Sequence, residues 1–255
     1  FAIKHSILRM TYKSLQRRPP LALLTYAEGW GRFNYYGTQT FLIIYLLQHF
    51  GINDAKAYAI YGIFAMLAFA TPILGGIIGD RWLGPMRATI FGGIWVVIGN
   101  ACMLISNYWS FTFGLALIVT GIGLYKPNIT TLVGWPYQDD AIKRERAYTW
   151  FYLGMNIGAV LGAIAYGLSQ GLLHMKAGFA LSAIGMTSSL ICILAANHTL
   201  KHYAPDAKFA DVSRFTLFGT QVLIVLLCLL PITYPALMHW LLPIGLILLI
   251  IWLTK

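Results

Sequence analysis

The chain has 255 residues, 58% of them hydrophobic and 10% charged, with a formal net charge of +10. A soluble domain carries roughly 25% charged residues, so this composition excludes one and defines a multi-spanning membrane protein. The basic excess does not define a nucleic-acid binder, because nearly all of it flanks apolar runs on one side.

Residues 1–20 read as a basic cytoplasmic arm with no cleavable signal peptide before the first apolar run. Apolar runs of about 20 residues predict membrane helices near 22–50, 55–79, 87–106, 109–133, 147–170 and 177–196, then 215–231 and 236–254. The first run is long for one perpendicular span and has a polar interior, so it is expected to tilt or bend, with Gly29, Gly31 and Gly37 permitting that. Lys4, Arg9, Lys13, Arg17 and Arg18 precede the first span, Arg81 and Arg87 follow the second, Lys143, Arg144 and Arg146 the fourth, and Lys201, Lys208 and Arg214 the sixth. The opposite side has Lys56 and Lys176, so the positive-inside rule places the N-terminus in the cytoplasm. Cys102, Cys192 and Cys228 fall within spans and lack metal-ligand spacing, which reads as free thiols.

Four segments carry chemistry. In the first helix, Glu28, Arg32, Tyr36 and Gln39 share one face at about 100° per residue, and such a stripe in lipid must face a cavity or serve as an intrahelical ion pair. At the end of the second helix, Gly75-Gly76-Ile77-Ile78-Gly79-Asp80-Arg81 combines small residues for close helix approach with charges that could pair across a cytoplasmic mouth. In the fourth helix, Lys126-Pro127-Asn128 puts a cation and a helix breaker inside an apolar span. An ionisable group at mid-membrane costs roughly 2.5–3.5 kcal/mol, so Lys126 needs a partner or a wet cavity, unless it snorkels to an interface. In the fifth, Gly154, Gly158 and Gly162 form a small-residue ladder for helix packing, and Asn156 lines a cavity or bonds to a neighbouring helix.

Taken in this order and spacing, with Tyr61 to Gly75 of the second helix, these segments resemble the proton-dependent oligopeptide transporter family of the major facilitator superfamily. The resemblance implies an all-α integral membrane fold: a six-helix N-terminal bundle at 21–197, a cytoplasmic linker at 198–214 and an additional transmembrane helix pair at 215–255. It also implies a C-terminal six-helix half beyond this chain. It assigns proton coupling to Glu28 and Lys126, substrate binding to Arg32, Tyr36, Gln39, Phe69, Lys126 and Asn156, and gating to Gly79, Asp80 and Arg81. Three positions depart from the family pattern: Gly31 stands where a second glutamate is usual, Phe69 where a tyrosine is, and Gln39 where an arginine often is.

Charge counting supports the same site independently. Arg32 and Lys126 are two cations inside spans and Glu28 is the only acid well inside one, a balance that favours a ligand with a carboxylate. The function that the resemblance implies is proton-coupled import of di- or tripeptides, or of related small carboxylate-bearing compounds, across the cytoplasmic membrane. Protons are the coupling ion, no cofactor or nucleic acid is involved, and the partners are the lipid bilayer and a small peptide. An enzyme is disfavoured, since no span holds paired carboxylates, an HExxH pair or a nucleophile beside a base. A family-derived transporter with changed substrate or coupling, or a non-transporting scaffold or receptor, is the alternative.

Overall fold

The computed structural model describes residues 20–171, 176–203 and 214–237. Seven α-helices follow one another among them: α1 (Leu21–Phe50), α2 (Asp54–Ile78), α3 (Pro85–Met103), α4 (Tyr108–Gly134), α5 (Ala141–Gly171), α6 (Ala177–Leu200) and α7 (Arg214–Thr233). A π-helical turn, Gly79–Leu83, continues α2, and short 3-10 turns lie at Trp135–Tyr137 and Pro235–Leu237. The first seven expected spans are thus present as helices. The N-terminal arm, most of the linker and nearly all of the expected span at 236–254 lie outside the described residues.

Local chemistry sets the helix ends. Gly51 closes α1 in the left-handed conformation, its N–H donating to the Leu46 carbonyl, and Asn53 opens α2 by accepting the Lys56 N–H at 2.9 Å. Pro85 occupies the first turn of α3 after Gly84, whose φ of 77° favours glycine. Asn107 caps α4, its side-chain oxygen accepting the Trp109 N–H at 2.8 Å. Asn107→Ala is therefore expected to destabilise the protein by about 1 kcal/mol, read as a lowered melting temperature in detergent. Before α5, the partly exposed Asp140 accepts the Lys143 N–H at 3.0 Å and pairs with its ammonium at 2.9 Å. That N–H foremost, and then the ammonium, hold the Asp140 carboxyl below its ordinary range.

Among the described residues, five helical stretches are long and apolar enough to cross a membrane: Asp54–Leu83, Pro85–Met103, Tyr108–Tyr137, Ala141–Ser169 and Ala177–Leu200. α1 is long enough at 30 residues, but Glu28, Arg32, Asn34 and Gln39 dilute its apolarity. It is one continuous helix, and Gly29 and Gly37 serve contacts with neighbours: Gly29 against α5, Gly37 against the Tyr166 ring. In α7, Phe218–Thr233 forms a shorter apolar stretch.

α4 is the most buried of the five apolar stretches. It packs most extensively on α3, while α1 packs most extensively on α5. The expected glycine ladder makes the second interface: Gly154 lies against Thr25, Gly158 against the Gly29 backbone and Gly162 against the Phe33 backbone. Both partners advance by four residues in the same direction, so α1 and α5 run parallel in register. α2 and α4 are also parallel. A Cβ at Gly75 would fall on the Gly123 carbonyl, the group that Pro127 leaves without its intrahelical donor, and Asn128 Nδ2 donates to the Gly75 carbonyl at 3.0 Å. α7 joins the bundle through Trp95 Nε1, which donates to Gln221 Oε1 at 2.7 Å.

Candidate functional site

Glu28 lies on the α1 face turned towards α4 and is buried, with 2% of its surface exposed. Four residues on, Arg32 donates through Nε to Glu28 Oε1 at 2.7 Å and through a terminal nitrogen to the Met155 sulfur of α5 at 3.1 Å. The second carboxylate oxygen, Oε2, is buried and has no protein hydrogen-bond partner among the described residues. Lys126 lines the same cavity from α4. It has no carboxylate within ion-pair distance among the described residues and lies 5.9 Å from the Tyr35 ring centre and 5.7 Å from that of Phe69.

Glu28, Gly31, Arg32, Tyr35, Ala68, Val96, Ile122, Tyr125, Lys126 and Met186 wall a cavity of about 20 Å³. That is room for about one water molecule. The three charges read from sequence are therefore brought together from α1 and α4, in a chamber that α2, α3 and α6 complete. Tyr125 shapes its floor: its hydroxyl bonds Ser189 at 2.9 Å, and Ser189 donates to the Ala27 carbonyl at 3.1 Å. A Cβ at Gly31 would stand 3.1 Å from the Tyr125 ring. Beside the position where the resemblance implies a second acid, this chain packs an anchored tyrosine.

The remaining expected site residues are not among its walls. Tyr36 is partly exposed and edges onto Tyr35 at 5.0 Å. Gln39 donates to the Tyr61 hydroxyl at 3.2 Å, joining α1 to α2. Phe69 is exposed on α2, and Asn156 is exposed on α5 and donates to the Tyr152 carbonyl of its own helix at 2.9 Å. In the π turn, Gly79 packs against Asn128, whereas Asp80 and Arg81 are exposed and pair with no charged group among the described residues. The sequence reading missed Tyr35, Ala68, Val96, Ile122, Tyr125 and Met186 as walls. Only the two tyrosines gave any signal, Tyr35 through its place on the Glu28 face and Tyr125 through its adjacency to Lys126.

α1 with α5 and α2 with α4 pack as parallel pairs, and the charged chamber lies between α1 and α4 inside an all-helical membrane bundle, the fold of the N-terminal half of major facilitator superfamily transporters, with α7 beside it. Residues 61–247 match the model of the POT family, PTR2. The chain belongs to that family. It is 31% identical over 206 residues to a dipeptide and tripeptide permease A of Proteus mirabilis, covering 78% of this chain and 41% of that protein. With the protein of the same name from Serratia proteamaculans, identity is 29% over 206 residues, covering 78% and 40% respectively. Among solved structures, a bacterial homologue of the human drug peptide transporters superposes with a TM-score of 0.78 at 25% identity, over 90% of this chain and 54% of that one. A POT family transporter in complex with 5-aminolevulinic acid gives 0.77 at 28% identity, over 92% and 52%. The chain thus spans about 40% of the length of its curated permease relatives.

Proposed function

We propose that the complete protein is a proton-coupled importer of di- or tripeptides or of related small carboxylate-bearing compounds, working by alternating access in the cytoplasmic membrane with its N-terminus inside the cell. Residues 21–197 act as one rocking half, 198–214 as the linker and 215–255 as the added helix pair, against a second half beyond this chain. The observation that carries the reading is the charge arrangement: Arg32 holds Glu28 at 2.7 Å while Lys126, in the same chamber, has no carboxylate partner among the described residues. Lys126 is then the cation offered to a substrate carboxylate. Glu28 is the proton acceptor, with Oε2 as the free oxygen, and its protonation releases Arg32 to the substrate as well. Tyr36, Gln39, Phe69 and Asn156 line the approach from the open side of the bundle, and Gly79, Asp80 and Arg81 form the cytoplasmic gate. Protons are the coupling ion and no cofactor takes part.

The test uses the complete protein in liposomes with labelled dipeptide and an inward proton gradient. Wild type is expected to accumulate the dipeptide, and the C-terminal amide of the same peptide is expected to compete about tenfold less well, the loss of one charge-assisted contact. Lys126→Ala should remove that preference for the acid. An unchanged acid-to-amide ratio in Lys126→Ala would mean that Lys126 does not meet the carboxylate.

A second reading concerns the substrate. Tyr125 fills the space beside Gly31, and the Phe69 ring stands near Lys126 without a hydroxyl to offer, which favours a compact ligand with few polar groups beyond its carboxylate. The ligand of the solved relative, 5-aminolevulinic acid, is such a compact carboxylate, with one ketone and one ammonium besides. Uptake of labelled 5-aminolevulinic acid without uptake of labelled dipeptide would favour this second reading, and uptake of labelled dipeptide would favour the first.

A further inference from the structure

On the side of α1 roughly 140° from the Glu28 face, an apolar groove runs between α1 and α5. Its volume is about 300 Å³, and its walls include Tyr26, Trp30 and Phe33 from α1 with Ile157, Gly158 and Leu161 from α5. The glycine ladder makes it: with no side chains at the crossing, the two helices meet backbone to backbone and their flanking residues stand apart as walls. The α1 wall is tied to α6, where Trp30 packs on Gly185 and the Tyr26 hydroxyl bonds Ser188 at 3.1 Å. Ile157 and Leu161 are each 53% exposed.

What covers this groove is indicated by the α5 surface leading into it. Counting about 100° per residue, Lys143, Arg146, Trp150, Ile157 and Leu161 fall within roughly 60° of one another, on the groove side of the helix. Lys143 already holds Asp140, whereas Arg146 has no ion pair among the described residues, and Trp150 is 64% exposed. The order along this stripe is cation, indole, apolar trough. At 1.5 Å per residue, Ile157 lies roughly 16 Å from Arg146 along the helix, about one leaflet of hydrocarbon. A charge at the headgroup level, an aromatic ring at the interface and a dry channel below it match one molecule of lipid.

We propose that the α1–α5 groove is a binding site for one acyl chain of an anionic phospholipid, whose phosphate is held by Arg146 with Trp150 at the interface. The site lies on the face of α1 turned away from the Glu28 chamber and is separate from the transport reading.

The test is native mass spectrometry of the complete protein released from micelles holding equal amounts of phosphatidylglycerol and phosphatidylcholine with identical acyl chains. Wild type should retain phosphatidylglycerol in preference, and Arg146→Gln should cut that preference about fivefold, the effect of one basic residue at a membrane surface. Ile157→Trp, which fills the trough from an exposed position, should lower retention of both lipids, with elution volume and melting temperature unchanged. Leu161→Trp should do the same. Retention unchanged in both tryptophan variants would overturn the proposal, as would a preference unchanged in Arg146→Gln. So would loss of a protein dimer in place of loss of lipid, since the groove would then hold a second copy of the chain.

Discussion

Glu28→Gln in the complete protein is expected to abolish uphill accumulation of substrate while leaving exchange of labelled for unlabelled substrate in place. One proton moving down 100 mV supplies about 2.3 kcal/mol, enough for roughly 50-fold accumulation per substrate molecule. The variant should bring that ratio to about one, because a carboxamide of nearly the same shape takes up no proton. The geometry makes this a clean substitution. Glu28 Oε1 accepts from Arg32 Nε at 2.7 Å, and an amide oxygen can still accept that bond without the ionic attraction, so the variant resembles the protonated acid: the chamber keeps its form while Arg32 is held more weakly. The Arg32 contact to the Met155 sulfur at 3.1 Å is untouched. Uptake driven by an imposed pH gradient in liposomes, compared with counterflow in its absence, distinguishes the two activities. Full accumulation by Glu28→Gln would remove Glu28 from the coupling step, and loss of both activities would show that the Arg32 pair holds the fold.

Much of this architecture is legible in the sequence because lipid makes polar and small residues conspicuous. The Glu28–Arg32 spacing of four residues on an apolar helix allows an ion pair as one of the two readings of that stripe, and the structure has the pair at the wall of a cavity. The period of Gly154, Gly158 and Gly162 announces a flat helix face, though its partner, Thr25, Gly29 and Phe33 of α1, does not stand out in sequence. The chamber walls Val96, Ile122 and Met186 were not legible, since an apolar residue in an apolar helix looks the same facing a cavity, a neighbour or lipid. Tyr125 was hidden for a different reason. Its position beside Gly31 depends on the hydroxyl bond to Ser189, a residue 64 positions away on α6. Gly29 and Gly37 read as bending points in α1, yet they are contact points, because a glycine in a membrane helix serves close approach as readily as flexibility.

The largest structural effect is expected at Gly158. A Cβ there would overlap the backbone of Gly29, and Gly29 has no side chain that could rotate aside, so Gly158→Leu must drive α1 and α5 apart along their whole contact. Overpacking of a close interface costs roughly 1–3 kcal/mol where the neighbours can yield, and a backbone carbonyl cannot. The rungs on either side, Gly154 on Thr25 and Gly162 on Phe33, would be lost with it. That separation would also pull Met155 from Arg32, because both belong to the helices being parted. Gly158→Leu is therefore expected to aggregate, or to melt well below wild type, when the complete protein is heated in detergent and followed by size-exclusion chromatography. Gly62 and Gly167 provide the contrast, since a Cβ at either meets nothing within 4 Å. Ala at those positions relieves the helix of a glycine and should shift stability by less than about 1 kcal/mol. Equal tolerance at all three positions would mean that the α1–α5 crossing is not set by the glycine ladder.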